Sequence, residues 1–302
     1  MTADGVPATC PACGGGDFRP WHNVRGTQLV RCSDCGLGTW AWAGVDLAAI
    51  YDADYWRSTE TGRGYADYFS LAQAMTRTHG QRLSWIARQL RRGASPAGAQ
   101  LRLLDAGCGP GYFVAAAQQA GFVASGVEIS TYAIEFARRE LGQDVRQGHI
   151  CRADLPDGPF DVVTMWDVLE HLPDPSAALT AVADVLRPGG LLLLSTGDAA
   201  SLAARLSRSR WHLFTLPEHL WFFNPASLRH LLRGAGLEPA GQRYEICWYT
   251  LRYLVERLEA MAGGRRYVSP RLGPLGRLVL PMTLADVVTV HAVKPLSDAA
   301  GA

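Results

Sequence analysis

Lysine is almost missing from this chain: Lys294 is the only one in 302 residues, and the positive charge sits on arginines scattered along the sequence. The formal net charge is only +1. Such a balance lacks the broad basic stripe that a nucleic-acid-binding protein uses for its phosphate contacts. The candidates, "RRG" at Arg91 and "GRRY" at Arg265 and Arg266, are short and far apart. Long apolar runs are missing as well. The longest aliphatic stretch is "LLLL", Leu191 to Leu194, against the roughly 20 residues that a membrane-crossing helix needs. The opening "MTADGVPATC" has no basic segment followed by an apolar one, so nothing there reads as a secretory leader, and the expected location is the cytoplasm without membrane insertion. There is no internal repeat or low-complexity tract. What is present, 48% hydrophobic and 19% charged residues, suffices for one large domain and a small appendage.

Four of the seven cysteines form a pattern, with Cys10 and Cys13 in "CPACG" and Cys32 and Cys35 in "CSDCG". Each C-x2-C turn brings two thiolates onto one cation, and two such knuckles make a tetrahedral four-sulfur site of the structural zinc type, with no open coordination position. Disulfides are the other reading of the same four residues, but they are rare in a reducing compartment. Cys108, Cys151 and Cys247 read as small buried hydrophobes.

The chain divides into three stretches. Residues 1–40 form the zinc ribbon, and 41–98 an aromatic-rich connector and a helical segment, with Leu71, Met75, Leu83, Ile86 and Leu90 at helical spacing. Residues 99–302 form the main domain. There "LRLLDAG", "FVASGVEIS", the start of "FDVVTMWDVLEHL" and "LLLLST" read as strands. They alternate with the helices "YFVAAAQQAG", "TYAIEFARRELG" (capped by Ser130 or Thr131) and "DPSAALTAVADVLRPGG". A capped helix, "NPASLRHLLRGAGLEPA", and the strands "GQRYEICW" and "DVVTVHAVK" follow, with a helical insertion near 249–282 between those two strands. Alternation of this kind means an α/β fold with a mostly parallel sheet covered by helices on both faces.

"LLDAGCGPGYF" sets Gly107, Gly109 and Gly111 at the first strand-to-helix turn, where the chain must bend tightly and let a ligand approach the backbone. Gly111 comes one residue too early for the dinucleotide fingerprint G-x-G-x-x-G, whose sixth position is Tyr112 here. Asp105 precedes the glycines, and Glu128 ends the second strand, where a carboxylate can accept both hydroxyls of a ribose. "LDAGCGPG" resembles the first motif of the class I S-adenosylmethionine-dependent methyltransferases, and the likeness runs from about Leu101 to Lys294. It implies a Rossmann-like seven-stranded sheet. Asp105 and the glycine turn would hold the methionine end of S-adenosylmethionine, Glu128 the ribose, and Ile129 the adenine. Where the family carries an aspartate after the third strand, "QGHIC" offers His149, and the implied cofactor set also includes Ile150 and Trp166.

On the acceptor side, "MWDVLEHLPDP" is similar to a motif of the ubiquinone-type O-methyltransferases. By that likeness Asp167, Glu170 and His171 are candidate ligands of a divalent cation, with capping of the turn before Pro173 as the bland reading. The ribbon together with "FTLPEHLWFF" resembles the deoxysugar C-methyltransferases, which implies Glu218 and His219 as the base and His171 as a second active-site histidine. Trp211, Phe214, Trp221 and Phe222 are candidate acceptor walls or core. The expected activity is methyl transfer to a small molecule: O-methylation of a sugar, glycan precursor or secondary metabolite, with sugar C-methylation as the alternative. A ribbon that binds RNA for an RNA methyltransferase is the reading from another class, and it needs the basic stripe that the chain lacks.

Overall fold

The computed structural model describes residues 2, 5–45, 50, 56, 72–92, 100–143, 145–255 and 270–296. Much of the connector and part of the insertion therefore lie outside the described residues, including the expected helix positions before Ala72 and after Val255.

The main sheet begins with the glycine-motif strand. Strands β4 (Arg102–Ala106), β5 (Val123–Glu128), β6 (Val145–Gln147), β7 (Phe160–Trp166), β8 (Leu186–Gly197), β10 (Glu238–Tyr244) and β13 (Val287–Val293) lie in the order β10-β13-β8-β7-β4-β5-β6. β4, β5, β6, β7 and β8 pair in parallel, and β13 runs antiparallel to both of its neighbours. This is the expected seven-stranded Rossmann-like sheet. Strand order reverses around β4, which opens a crevice at the carboxyl ends of β4 and β7.

Alternation along the strands feeds two cores. Leu103, Val162, Leu191 and Leu193 pack on one face with Ile86, Phe113 and Ile134, from helices α1 (Ala72–Arg92), α2 (Tyr112–Gln119) and α3 (Thr131–Leu141). Leu104, Val163, Leu192 and Leu194 pack on the other with Leu179, Leu228 and Leu231, from α4 (Pro175–Val185) and α6 (Pro225–Gly234). A short α5 (Leu202–Ser207) lies between β8 and α6. No described helix is long and apolar enough to cross a membrane.

Local chemistry explains the helix ends. Ser130 is the cap of α3, its side chain accepting from Ala133 N, and Asn224 opens α6 in a reciprocal capping box with Ser227. Helix α4 stops at Val185, earlier than "RPGG" suggests, because Pro188 biases Arg187 to extended backbone and the chain enters β8 at once. The lone lysine acts here: Lys294 Nζ donates to the carbonyls of Ala183 (2.6 Å) and Leu186 (2.8 Å), a cation on the last turn of α4.

One expectation changes. "GQRYEICW" is not one strand: β10 ends at Tyr244, and Cys247 starts β11 (Cys247–Thr250), which pairs with β12 (Val279–Met282) in a separate hairpin. The break comes at Glu245, a buried carboxylate drawn to Arg82 of α1. The sheet of the ribbon extends into the main domain. Its strands β1 (Phe18–Val24), β2 (Thr27–Cys32) and β3 (Gly38–Trp40) continue through β3 into β9 (Trp221–Phe222) of the main domain, in the order β1-β2-β3-β9.

Replacing Lys294 by Met should leave two C-terminal carbonyls of α4 without a charged donor. A loss of about 1–2 kcal/mol is expected in urea unfolding, and Lys294→Arg should lose less.

Candidate active site

The crevice is a cavity of about 380 Å³ that runs from the turn after β4 to the turn after β7 and on to α1 and β11. Asp105, Gly107, Gly109, Glu128, Ile129, His149, Ile150 and Trp166 all line it. Gly111, grouped with them by sequence, does not: with φ 80° it is the N-cap of α2, and a Cβ there would touch Ala137 and Val145. Gly107 has φ 80° and a Cβ would fall 2.6 Å from Val168, while a Cβ on Gly109, at φ 52°, would meet the ring of Trp56 at 3.1 Å. Both positions thus need glycine for backbone angle and for space.

The polar end is built from carboxylates that burial discourages from ionising. Burial pushes Asp105 up to about 7, against the Thr164 hydroxyl that donates to it at 2.7 Å and the charge of Arg82. Burial also raises Glu128, opposed by amides of Ser130, Gly109 and Ile129 that donate to its two oxygens at 2.8–3.0 Å. The indole Nε1 of Trp166 is buried without a hydrogen-bond partner. His149 is held by its backbone, which donates to Asp154 at 2.8 Å.

The other end of the cavity was not read from the sequence. Met75, Thr78, His79 and Arg82 of α1 face Cys247, Trp248 and Tyr249 of β11 and Tyr253, whose ring stacks on Tyr249 at 5.0 Å. Arg82 is buried, bonded through Nε and Nη2 to Glu245 (3.1 and 2.8 Å), 3.6 Å from Asp167, and stacked 4.1 Å from the centre of the Trp166 ring. Burial opposes its charge, but Glu245 and Asp167 outweigh that and hold the guanidinium ionised. Helical periodicity marked the apolar face of α1 and gave no sign of Arg82; the remaining signal was an arginine four residues from Thr78, too weak to single out.

The expected cation group does not assemble as written. Asp167 has a left-handed φ of 55°, accepts from Ser195 Oγ at 2.9 Å and faces Arg82. Glu170 and His171 instead cluster with His219, with ligand atoms within 4.8 Å of one another. Burial, then the charge of Asp167, pushes Glu170 up to about 8. Burial takes His171 down to about 4, despite the carbonyls of Glu218 and Asp167 that favour its protonated ring. His171 lines the cavity. Its ring meets that of His219 edge to face at 4.7 Å, and His219, outside the lining, sits behind it. His171 Nδ1 lies 2.8 Å from the Glu218 carbonyl, and His219 Nδ1 lies 2.9 Å from the Leu213 carbonyl. A carbonyl can only accept, so each Nδ1 carries the proton. Glu218 thus meets His171 through its main chain; its carboxylate is buried, with Oε2 unpartnered. Trp211, Phe214, Trp221 and Phe222 are buried outside the cavity and serve as core under the ribbon.

In the ribbon, Cys10 and Cys35 sulfurs lie 3.5 Å apart, Cys13 and Cys32 sulfurs 3.6 Å, and all four within 4.8 Å. A tetrahedral ion with bonds of about 2.3 Å wants sulfurs about 3.8 Å apart, so the cluster could hold a metal ion. The hydrogen bond from Cys35 pulls Cys10 down to about 5, already favouring a thiolate.

Residues 76–240 match the family described as "Methyltransferase domain", a stretch that leaves out the ribbon. The ubiquinone biosynthesis O-methyltransferase of Aromatoleum aromaticum is 36% identical over 172 residues, 53% of this chain and 70% of that enzyme. Its counterpart in Thiobacillus denitrificans is 34% identical over 149 residues, and this chain spans 64% of that enzyme's length with 45% of its own. Among solved structures, the magnesium protoporphyrin IX methyltransferase of Synechocystis PCC 6803 with bound SAH superimposes with a TM-score of 0.50 at 20% identity, over 80% of this chain and 93% of that one, a likeness of fold.

Breaking a buried ion pair by deleting one partner leaves an uncompensated charge. Glu245→Ala should therefore lower the unfolding free energy by about 3 kcal/mol. The double replacement Arg82→Met, Glu245→Met should recover most of that loss in the same urea titrations.

Proposed function

The chain belongs to the methyltransferase-domain family and is a class I S-adenosylmethionine-dependent enzyme; on that premise we propose that it methylates a hydroxyl oxygen of a small-molecule acceptor bound between His171 and the aromatic wall of the cavity. The observation that carries the reading is that the buried carboxylates of Asp105 and Glu128 and the imidazole of His171 line one cavity. The names of the two relatives above support oxygen as the accepting atom.

The residues present fit the cofactor. Asp105 offers a buried carboxylate to the methionine ammonium, Glu128 keeps a lone pair on Oε2 for a ribose hydroxyl, and the unpartnered Trp166 indole supplies a donor. Ile129, His149 and Ile150 flank the adenine in this reading, and Gly111 supports the turn from outside. When bound, S-adenosylmethionine supplies the methyl group and leaves as the thioether. The chain's own task is to align the acceptor oxygen with that methyl and to remove the hydroxyl proton as the new C–O bond replaces the C–S bond. His171, held neutral near pH 7 by burial, is the proton acceptor on the wall. His219 supports it from behind, and the Glu218 carbonyl keeps its ring oriented. Trp248, Tyr249 and Tyr253 grip the acceptor. The four-cysteine cluster is in this reading a structural zinc site.

Screening methyl transfer from S-adenosylmethionine to catechols, phenols and sugar nucleotides, by release of S-adenosylhomocysteine, tests the activity; transfer to none of them, or only to carbon, would sink O-methylation. His171→Gln is expected to lose turnover by about 100-fold or more, as removal of a general base does, with little change in calorimetric affinity for S-adenosylhomocysteine.

Cofactor affinity should also depend on pH. With its carboxyl pushed up to about 7, Asp105 is mostly protonated below that pH and carries the charge that pairs with the ammonium only above it. Affinity for S-adenosylhomocysteine should therefore rise as pH increases through about 7, and Asp105→Asn should flatten that dependence. Metal analysis of the purified protein should find zinc, and Cys13→Ser should lose it.

A further inference from the structure

The ribbon grips the segment that carries His219 by its main chain. Trp40 Nε1 donates to the His219 carbonyl at 2.9 Å, and the Thr39 hydroxyl donates to the Leu220 carbonyl at 2.8 Å while accepting from Trp42 Nε1 at 3.2 Å. The preceding carbonyl, that of Glu218, is taken by His171. Three successive carbonyls therefore have assigned partners, one from the site and two from the ribbon. Leu220 N donates to the Glu170 carbonyl at 2.8 Å and Trp221 Nε1 to the Leu172 carbonyl at 2.8 Å, so the same few residues lock onto the turn on both sides of His171. Three residues beyond Trp221, Asn224 Nδ2 donates to the carbonyl of Cys35 within the second knuckle at 3.1 Å. The segment from His219 to Asn224 is thus held at its start by Thr39 and Trp40, in its middle by β3–β9 pairing, and at its end by a cysteine of the metal cluster.

We infer that the N-terminal ribbon is a working part of the reaction site, with Trp40 and Thr39 as positioning residues that set the geometry of the His171–His219 pair. This rests on the proposed role of that pair and adds what holds it. A ribbon serving only as an independent stabilising or partner-binding module has no need to address the carbonyls of His219 and Leu220. Here the Leu220 carbonyl is bonded in a buried setting and the His219 carbonyl in a part-buried one, and with the ribbon's donors gone they would turn the chain toward other partners. The imidazoles would turn with it. The cofactor end shares none of these bonds and should be indifferent to the ribbon.

The test reads the imidazoles directly, by NMR of the ring nitrogens and protons in the full-length protein, with S-adenosylhomocysteine as the probe of the cofactor end. In Trp40→Phe, which keeps an aromatic ring and deletes the donor, the His171 and His219 signals should shift or broaden, the His149 signals should hold, and calorimetric affinity should stay within about twofold. Thr39→Val should act in the same direction and Thr39→Ser, which keeps the hydroxyl, should restore the wild-type signals. Stripping metal from the wild-type protein with a chelator should reproduce the change at His171 and His219. Wild-type ring signals in Trp40→Phe and Thr39→Val overturn the inference; so does a Thr39→Ser variant that behaves like Thr39→Val. Should Trp40→Phe fail to bind S-adenosylhomocysteine through misfolding, the Thr39 pair decides. None of these readouts needs an acceptor, so failure to methylate any acceptor would count against the proposed activity alone.

Discussion

The site depends first on how closely two turns can approach. The chain leaves β4 through Gly107 and leaves β7 through Asp167 and Val168, and a single Cβ on Gly107 would lie 2.6 Å from the Val168 side chain. Only glycine permits that contact, since its φ of 80° and its missing side chain are both required. With the two turns close together, the carboxylates of Asp105 and Glu128 and the imidazole of His171 line one cavity. Strand order makes the crevice, and Gly107 lets the turns on its two sides approach closely.

A second constraint fixes the far wall. Arg82, Glu245, Asp167 and Ser195 come from α1, the end of β10, the turn after β7 and β8, four parts of the chain that no shared element joins. A guanidinium taken out of water needs paired carboxylates around it, and those carboxylates need it in turn. The network therefore forces β10 to break at Glu245 and sends the chain across the cavity as β11. It also meets the positive φ of Asp167, an unfavourable backbone state for a side chain with a Cβ, which persists because Ser195 bonds both its backbone amide and its carboxylate. What the insertion near 249–282 contributes is thus part of a wall of the cavity, carried by Tyr249 and Tyr253 beside Trp248, in addition to its length.

How much of this was legible in the sequence follows from how local each signal is. The glycine turn, Glu128 and the paired cysteines are read from residues a few positions apart, because the chemistry they serve is itself local: a tight turn, a strand end, a two-thiolate knuckle. The sheet was legible through alternation, since buried parallel strands and amphipathic helices differ in period. Motif spacing does not tell which glycine lines the crevice and which, like Gly111, faces the next helix. Arg82 and Glu245 are separated by 163 positions, and nothing within either one's neighbourhood announces a partner. The same holds for the cation group: Asp167, Glu170 and His171 share one turn in sequence, yet the positive φ of Asp167 turns it toward Ser195 while the other two meet His219.

The Glu218–His219 pair shows why residue type alone is a poor guide to role. Two charged-type side chains in an aromatic setting suggest a carboxylate steering an imidazole, and the contact that exists runs instead through the main chain: the Glu218 carbonyl orients His171 and the Leu213 carbonyl orients His219. A carbonyl is a better anchor here than a carboxylate. It does not titrate, so it selects the same tautomer of the neutral ring at any pH, whereas burial pushes the nearby Glu170 carboxyl up to about 8. It also adds no net charge to a buried cluster that already contains one acid. The cost is that a carbonyl's direction is set by the whole backbone segment, which must be held from outside. That requirement gives a reason for the pairing of a two-residue strand, Trp221–Phe222, with the ribbon: the side chains of β3 take the carbonyls of His219 and Leu220, the two that follow the Glu218 carbonyl facing His171.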